Sequence, residues 1–150
     1  MSDLDKLSED PKGQFFHELK DARTVMLGEA SRDALLPMTP YVREDDESVY
    51  FFTRIDTSIA DANHDDMRMV FISKGQDYHA YVRGRFERTL NNDVRDEFWS
   101  PTLAAWYDGK DDPAMVILQF HPESADVWAS TSNPLRFGFE IAKANMTKHD

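Results

Sequence analysis

Residues 48–62 read SVYFFTRIDTSIADA, and they decide the fold that we expect for this chain. Successive side chains of a β-strand point to opposite faces of the sheet. Val49 and Phe51 therefore lie on one face of an extended segment, and Tyr50 and Phe52 lie on the other. Apolar side chains on both faces are typical of a strand in the middle of a sheet. The segment predicts such a central strand.

The end of this strand leads into a turn rich in helix-capping residues. The strand closes at Thr53, and a short helix is expected to begin at Ile59. Candidate N-caps of that helix are Asp56, Thr57 and Ser58. A strand-to-helix turn of this kind presents backbone N–H groups and hydroxyls, which can hold a phosphate or another anion. The plainer alternative is an ordinary capped turn without a ligand.

Composition limits the class of protein. A chain of 150 residues suits one domain, which we expect to span residues 1–150. Seventeen basic and 28 acidic side chains give a net charge of −11, which argues against nucleic acid or an anionic membrane as partner. The absence of cysteine excludes disulfides, thiolate metal sites and a catalytic thiol. Without a signal pattern or a membrane-spanning apolar run, a cytoplasmic location is expected.

The rest of the chain predicts a mainly β fold with peripheral helices. An N-terminal helix is expected over about 11–21, two short helices near 92–99 and after 101, and a C-terminal helix over about 135–145. Most of the predicted strands are joined by turns too short for a parallel crossover, so the sheet should be an antiparallel barrel. The seven predicted strands span residues 23–29, 34–42, 48–53, 67–73, 78–87, 114–121 and 125–130.

The remaining motifs carry little chemistry of their own. The five histidines show no metal-site spacing, and there is no Gly-rich phosphate loop or nucleophile elbow, so no metal site or catalytic residue is assigned. Gly84 within a strand suggests a bulge or a close backbone approach. Trp99, Trp106 and Trp128 are each large enough to anchor a core or a dimer contact. Their flat faces also suit a stacked heterocycle, and both alternatives stay open.

Several separate motifs together resemble one family. They are FWSP at 98–101, WYDG at 106–109, DDP at 111–113, HPESA at 121–125 and Trp128, with Pro37-Met38 and YFFT at 50–53 upstream. Their order and spacing over roughly residues 12–130 resemble the general stress protein branch of the pyridoxamine 5'-phosphate oxidase-like FMN-binding split barrels. The resemblance implies an antiparallel split β-barrel that forms a homodimer and binds FMN at the subunit interface. It further implies a small-substrate oxidoreductase in which the flavin carries the chemistry.

The resemblance also assigns site residues. Those near the flavin would be Pro37, Met38, Thr39, Phe52 and Thr53, with Thr57, Ser58 and Ile59 by the phosphate and His79 reaching the cofactor from a neighbouring strand. Apart from the resemblance, the flat ring of Trp106 and the positive charge of Arg54 make these two residues further candidate contacts. The family usually carries an arginine before the Pro-Met pair and a lysine in the turn, where this chain has Leu36 and Ile59. Arg54, Arg32 or Arg43 could replace them, and Thr57 and Ser58 with the helix N-terminus could still donate to a phosphate. The alternative is a non-enzymatic binding protein that has lost the phosphate clamp and binds another aromatic ligand or none.

Overall fold

The structure is a computed structural model that describes residues 10–31, 34–61, 65–129 and 135–141. Its elements in chain order are α1 (Pro11–Lys20), β1 (Val25–Glu29), β2 (Leu36–Met38), β3 (Tyr41–Arg43), β4 (Ser48–Arg54), β5 (Met67–Ile72), β6 (Tyr78–Thr89), α2 (Asn92–Phe98), α3 (Pro101–Ala104), β7 (Met115–Ala129) and β8 (Leu135–Glu140). Short 3₁₀ helices follow β3 and β4, at Glu44–Asp46 and Ile59–Asp61.

The eight strands form one curled antiparallel sheet. Their order is β2-β1-β5-β6-β7-β4-β3, and β8 pairs with β7. The two strands at the ends of this order contact the same core, because Met38 of β2 and Val42 of β3 both pack against it. A flat sheet of this width would hold its edge strands far apart, so the sheet must wrap around the core. The predicted fold class, an antiparallel split barrel with peripheral helices, is confirmed.

Helix α1 closes part of this core. The Asp10 carboxylate accepts the Gly13 N–H at 3.0 Å, and Pro11 starts the helix where a missing N–H does no harm. Phe15 and Leu19, four residues apart, are fully buried on one face of the helix. The helix predicted over about 11–21 is confirmed, ending at Lys20.

Strand β4 is the central strand that the sequence predicts. It pairs with β3 on one side and with β7 on the other, and its residues 48–53 are all buried. Val49 and Phe51 face the main core. Tyr50 and Phe52 face a second apolar cluster, which is covered by helices α2 and α3. These peripheral helices thus exist because the sheet has an apolar outer face to bury at this point.

Strand β7 runs without interruption where the sequence predicts a turn. Residues 115–129 form a single strand, and Pro122 and Glu123 lie inside it. Gly84 of β6 pairs with Pro122 and Arg83 pairs with Ser124, so Glu123 is the extra residue of a β-bulge. The bulge accommodates the proline, which cannot donate to a regular ladder. The close approach predicted for Gly84 is confirmed.

The helix predicted over about 135–145 is wrong for its described part. Leu135–Glu140 is strand β8, which pairs antiparallel with Ser124–Ala129 of β7. The spacing of Phe137 and Ile141 favoured a helix, but a short apolar run fits either structure. Residues 124–129 of β7 have backbone N–H and C=O groups on one edge that need hydrogen-bond partners. Pairing with this edge outweighs the local helical pattern. Residues 142–145 lie outside the described residues.

Candidate functional site

A cavity of about 390 Å³ lies where β2, the end of β4 and helix α3 meet. We call it the β4 cavity. It borders the second apolar cluster, which contributes Phe52, Leu103, Tyr41 and Tyr107 to its walls. Its lining is Pro37, Met38, Thr39, Tyr41, Phe52, Thr53, Arg54, Thr57, Thr102, Leu103, Trp106 and Tyr107. Aromatic rings, hydroxyl groups and a guanidinium therefore surround a single space.

The structure brings together eight of the ten residues that, besides Ile59, the sequence nominated for a cofactor. These eight are Pro37, Met38, Thr39, Phe52, Thr53, Arg54, Thr57 and Trp106. Ser58 is exposed in the turn after β4 and does not line the cavity. His79 lies on β6, where its cross-strand partners are Ile72 and Trp128, and it also does not line the cavity of its own chain.

The aromatic walls are held by ring contacts. Tyr41 and Phe52 meet edge to face with ring centroids 5.2 Å apart, and Tyr41 also contacts Phe98 of α2 at 5.3 Å. Trp106 is 68% exposed, so its indole lies at the rim. Burial raises the pKa of the Tyr107 phenol to about 12, against the opposing charge of Arg54. The phenol therefore stays protonated at neutral pH.

Two threonine hydroxyls at the cavity have their protons committed. Thr57 Oγ1 donates to the Arg54 carbonyl at 2.8 Å, and it lies 2.8 Å from Thr53 Oγ1. Because the proton of Thr57 is used on the carbonyl, the Thr53 hydroxyl must donate to Thr57. Neither hydroxyl retains a proton for an anion. The pair offers lone pairs instead, which suit an N–H donor of a ligand.

The helix predicted after β4 begins at Ile59, as expected. In the described part it is the three-residue 3₁₀ helix Ile59–Asp61. The Thr57 carbonyl accepts the Ala60 N–H at 3.2 Å, and the Thr57 hydroxyl donates to the Arg54 carbonyl. Ile59 is only 6% exposed and belongs to the main core. The Ile59 side chain therefore packs into the core and does not line the β4 cavity.

Arg54 supplies the positive charge of the cavity. Its Nη1 donates to the Trp106 carbonyl at 3.3 Å, which ties the end of β4 to the loop after α3. The nearest carboxylate oxygen, on Asp56, lies 3.7 Å from Nε, beyond hydrogen-bond distance. The side chain is 44% exposed. Arg43, in contrast, bonds to Asp46 and Glu97 and does not line the cavity.

Sequence reasoning missed four lining residues. They are Tyr41, Thr102, Leu103 and Tyr107. Tyr107 adjoins Trp106 in the motif already singled out, and Thr102 and Leu103 belong to the short helix that Pro101 begins. Nothing in the sequence indicates that the loop after α3 folds back onto β4, and these residues could therefore not be assigned to the site.

The three tryptophans have separate environments. Trp99 packs against the second apolar cluster as a partly buried core residue, which is the plainer of its two alternatives. Trp106 lines the β4 cavity. Trp128 is 38% exposed on β7, opposite His79. Only the second of these is placed to touch a ligand in that cavity.

A second cavity of about 400 Å³ lies near the start of α2 and the loop before β7. Its basic side chains already have partners. Arg95 donates to the Lys110 carbonyl and to Asp111, and Lys110 pairs with Asp96 at 3.3 Å. The DDP motif at 111–113 lines this cavity, but none of the ten residues nominated for a cofactor does, and we therefore assign the candidate site to the β4 cavity.

Metal-binding clusters and membrane-spanning helices are both absent from the part of the chain that the structure describes. No group of three or more His, Asp or Glu side chains is arranged there to hold a metal ion. None of the helices in that part of the chain has the length and apolar character needed to cross a membrane.

Comparisons with known proteins agree with this fold. A family model described as "Pyridoxamine 5'-phosphate oxidase like" matches residues 10–150. A segment of 46 residues is 46% identical to General stress protein 26 of Bacillus subtilis, and the match spans 29% of this chain and 33% of that protein. The chain thus matches only about a third of the length of this curated relative.

Two crystal structures extend the likeness to nearly the whole fold. A protein of Jannaschia sp. CCS1, classed with general stress protein 26, superimposes with a TM-score of 0.79 at 25% identity, covering 89% of this chain and 99% of that one. The general stress FMN/FAD binding protein of Xanthomonas citri superimposes with a TM-score of 0.73 at 29% identity, covering 89% and 97%. The chain belongs to the pyridoxamine 5'-phosphate oxidase-like family of split barrels, in its general stress protein branch.

Proposed function

We propose that this chain is a flavoprotein that binds FMN in the β4 cavity and uses it to exchange electrons with a small substrate. The observation that carries the proposal is the convergence of eight nominated residues on one cavity of about 390 Å³. That volume lies in the usual range for small-molecule and cofactor sites. The related Xanthomonas citri protein is itself described as an FMN/FAD binding protein.

The lining fits a planar heterocycle that carries an anionic group. Tyr41, Phe52 and Trp106 provide flat apolar surfaces against which a ring system can pack. The Thr53 hydroxyl provides lone pairs for a ring N–H, and Arg54 provides a positive charge. Bound FMN would supply the electron-transfer chemistry, which protein side chains cannot perform alone.

The protein groups position the ligand rather than move protons. Among the described residues that line the cavity there is no histidine and no carboxylate. Tyr107 keeps its proton at neutral pH because burial raises its pKa to about 12. The residues we assign to binding are therefore the aromatic walls, the threonine pair and Arg54. We assign no catalytic residue.

We further propose that a second copy of the chain covers the sheet face around His79. Ile72 is 52% exposed and Trp128 is 38% exposed, and both are cross-strand neighbours of His79. Exposed apolar groups clustered on one face favour association. His79 would then contact ligand in the partner's cavity rather than in its own. Sedimentation of the Ile72→Glu variant tests this, since a charge in a buried interface should yield monomers; an unchanged dimer would place the interface elsewhere.

Titration of the purified protein with FMN, followed by quenching of flavin fluorescence, tests the flavoprotein proposal. We expect saturable binding that weakens roughly tenfold in Trp106→Ala, because an aromatic contact of about 1.4 kcal/mol is lost. Leu90→Ala is the control, because Leu90 is 95% exposed and does not line the β4 cavity. Equal FMN affinity of both variants would show that FMN does not bind in the β4 cavity.

A second candidate function is a binding protein without redox activity. Leu36 and Ile59 favour it, because they stand where related proteins usually carry the cations that hold the phosphate. Such a protein would purify colourless and would fail to bind FMN at about tens of micromolar, while an uncharged aromatic compound would still bind the β4 cavity.

A further inference from the structure

We propose that Arg54 is the anion-binding residue of the β4 cavity, and that it makes this cavity prefer a phosphorylated flavin to its uncharged counterpart. The inference rests on the proposed function, because it concerns how the same cavity would hold FMN. It assigns to this chain a phosphate contact that does not use the two positions at which its relatives usually carry a cation.

The usual positions cannot serve here, for two different reasons. Ile59 is 6% exposed and packs in the main core, so this position points away from the cavity as well as lacking a charge. Leu36 is 41% exposed, is apolar and does not line the cavity. A phosphate bound in the β4 cavity therefore needs a charge from elsewhere in the chain.

Arg54 alone among the described lining residues can supply that charge. The lining contains no lysine and no other arginine. Arg43 lies at the opposite end of the β3–β4 hairpin, where Asp46 and Glu97 bind its guanidinium at about 3 Å. Arg32 lies outside the described residues. Of the candidates named from the sequence, Arg54 is the one that the fold brings to the cavity.

The Arg54 guanidinium retains donors for a ligand. It has five N–H groups, of which Nη1 makes a long bond of 3.3 Å to the Trp106 carbonyl. Asp56 Oδ1, at 3.7 Å from Nε, is an ion-pair partner but lies beyond hydrogen-bond distance. The planar fork of a guanidinium matches two phosphate oxygens at once.

The neighbouring hydroxyls make this charge more important. Thr57 donates its proton to the Arg54 carbonyl and Thr53 donates to Thr57. Neither hydroxyl can donate to a phosphate without breaking an existing bond. The other hydroxyls of the lining, on Thr39, Thr102 and Tyr107, are uncharged, so the Arg54 guanidinium is the lining group that distinguishes an anionic from a neutral ligand by charge. A charge-assisted contact of this kind corresponds to about a 10- to 100-fold difference in affinity.

The test compares the Kd values for FMN and riboflavin in matched variants. Arg54→Gln removes the charge, Arg54→Lys keeps a charge but loses the fork, and Arg85→Gln is the control. Arg85 is 46% exposed against 44% for Arg54, and it lies on β6 outside the cavity. Both glutamine variants change the net charge equally, so an effect of the long-range field would appear in both.

We expect the wild-type protein and Arg85→Gln to bind FMN about 10- to 100-fold more tightly than riboflavin. Arg54→Gln should bind both flavins equally, with the riboflavin Kd unchanged, and Arg54→Lys should retain part of the preference. Raising the salt concentration should reduce the preference, because the Arg54 side chain is partly exposed. Unchanged riboflavin binding also shows that each variant is folded and keeps its Trp106 wall.

Three outcomes would overturn the inference, and two of them leave the proposed flavin site intact. If Arg54→Gln still prefers FMN, or if the wild-type protein binds both flavins equally, Arg54 is not the anion contact but the flavin site remains. If the wild-type protein binds neither flavin, the proposed function fails and the inference falls with it.

Discussion

Gly84→Ala is the substitution that tests the architecture of the sheet most directly. Gly84 lies on β6 opposite the bulge of β7. A Cβ atom at this position would lie 2.4 Å from the His121 carbonyl oxygen and 2.7 Å from the Phe120 ring. No described glycine has a positive φ, so the obstacle is the lack of space and not the backbone conformation.

The size of the effect follows from what must move. The His121 carbonyl belongs to a strand that is paired on both sides, and the Phe120 ring is fully buried. Neither can shift by the ångström that a methyl group needs without disturbing the ladder. Overpacking of this kind costs about 1–3 kcal/mol, and the backbone contact places Gly84→Ala near the upper end. For a chain of this size that corresponds to a Tm lower by roughly 5–10 °C.

Thermal and urea unfolding of Gly84→Ala and Gly109→Ala provides the assay. Gly109 is the matched control, because a Cβ added there meets no atom within 4 Å. Its alanine variant should unfold within about 0.5 kcal/mol of the wild-type protein, or be slightly more stable. If both alanine variants keep the wild-type Tm to within about 2 °C, the register of β6 on β7 is not the one described.

Three further predictions concern the core and its buried polar groups. Ile59→Lys restores the family's usual cation but places it in the main core. It should therefore lower the free energy of unfolding by on the order of 2–4 kcal/mol without improving the FMN Kd. A stable variant with tighter FMN binding would contradict the inward orientation of the Ile59 side chain. Tyr50→Phe removes a partly buried hydrogen bond of 2.8 Å to the Asp46 carboxylate and should cost about 1.5 kcal/mol. Tyr78→Phe removes a buried hydroxyl that has no hydrogen-bond partner among the described residues, and it should be neutral or stabilising. Similar losses of stability for the two variants in urea unfolding would refute the distinction. Burial raises the pKa of Tyr50 from 10.0 to about 12, so the folded state holds the phenol proton more tightly than the unfolded state does. The contribution of this proton to the free energy of unfolding should be fully present below pH 10 and should be lost as the pH rises toward 12. Tyrosinate absorbance and unfolding measured together should show a smaller alkaline loss of stability in Tyr50→Phe.

The local sequence pattern was sufficient to predict an element where its separate signals agreed. The apolar residues on the two faces of Ser48–Arg54 require cover on both sides, and β4 has the main core on one side and helices on the other. Helix α1 was predictable for a similar reason, because its cap, its proline and its apolar spacing agree.

Local pattern failed where the partner decided the structure. Leu135–Glu140 suits a helix or a strand, and the free edge of β7 made it a strand. Pro122 reads as a turn in isolation, but Gly84 on the neighbouring strand leaves room for a bulge that carries β7 past it. In both cases the deciding contact comes from a neighbouring strand of the sheet.

The candidate site divides in the same way. The sequence by itself determined the family, the central strand and most of the residues that surround the β4 cavity, because these lie in short motifs whose residue types and spacing are recognisable. Only the tertiary structure decided that Tyr41 and Tyr107 complete the walls, that Ile59 turns into the core and that Arg54 remains at the cavity. The direction of a side chain in a turn depends on what packs against that turn, and this information is not local to the sequence.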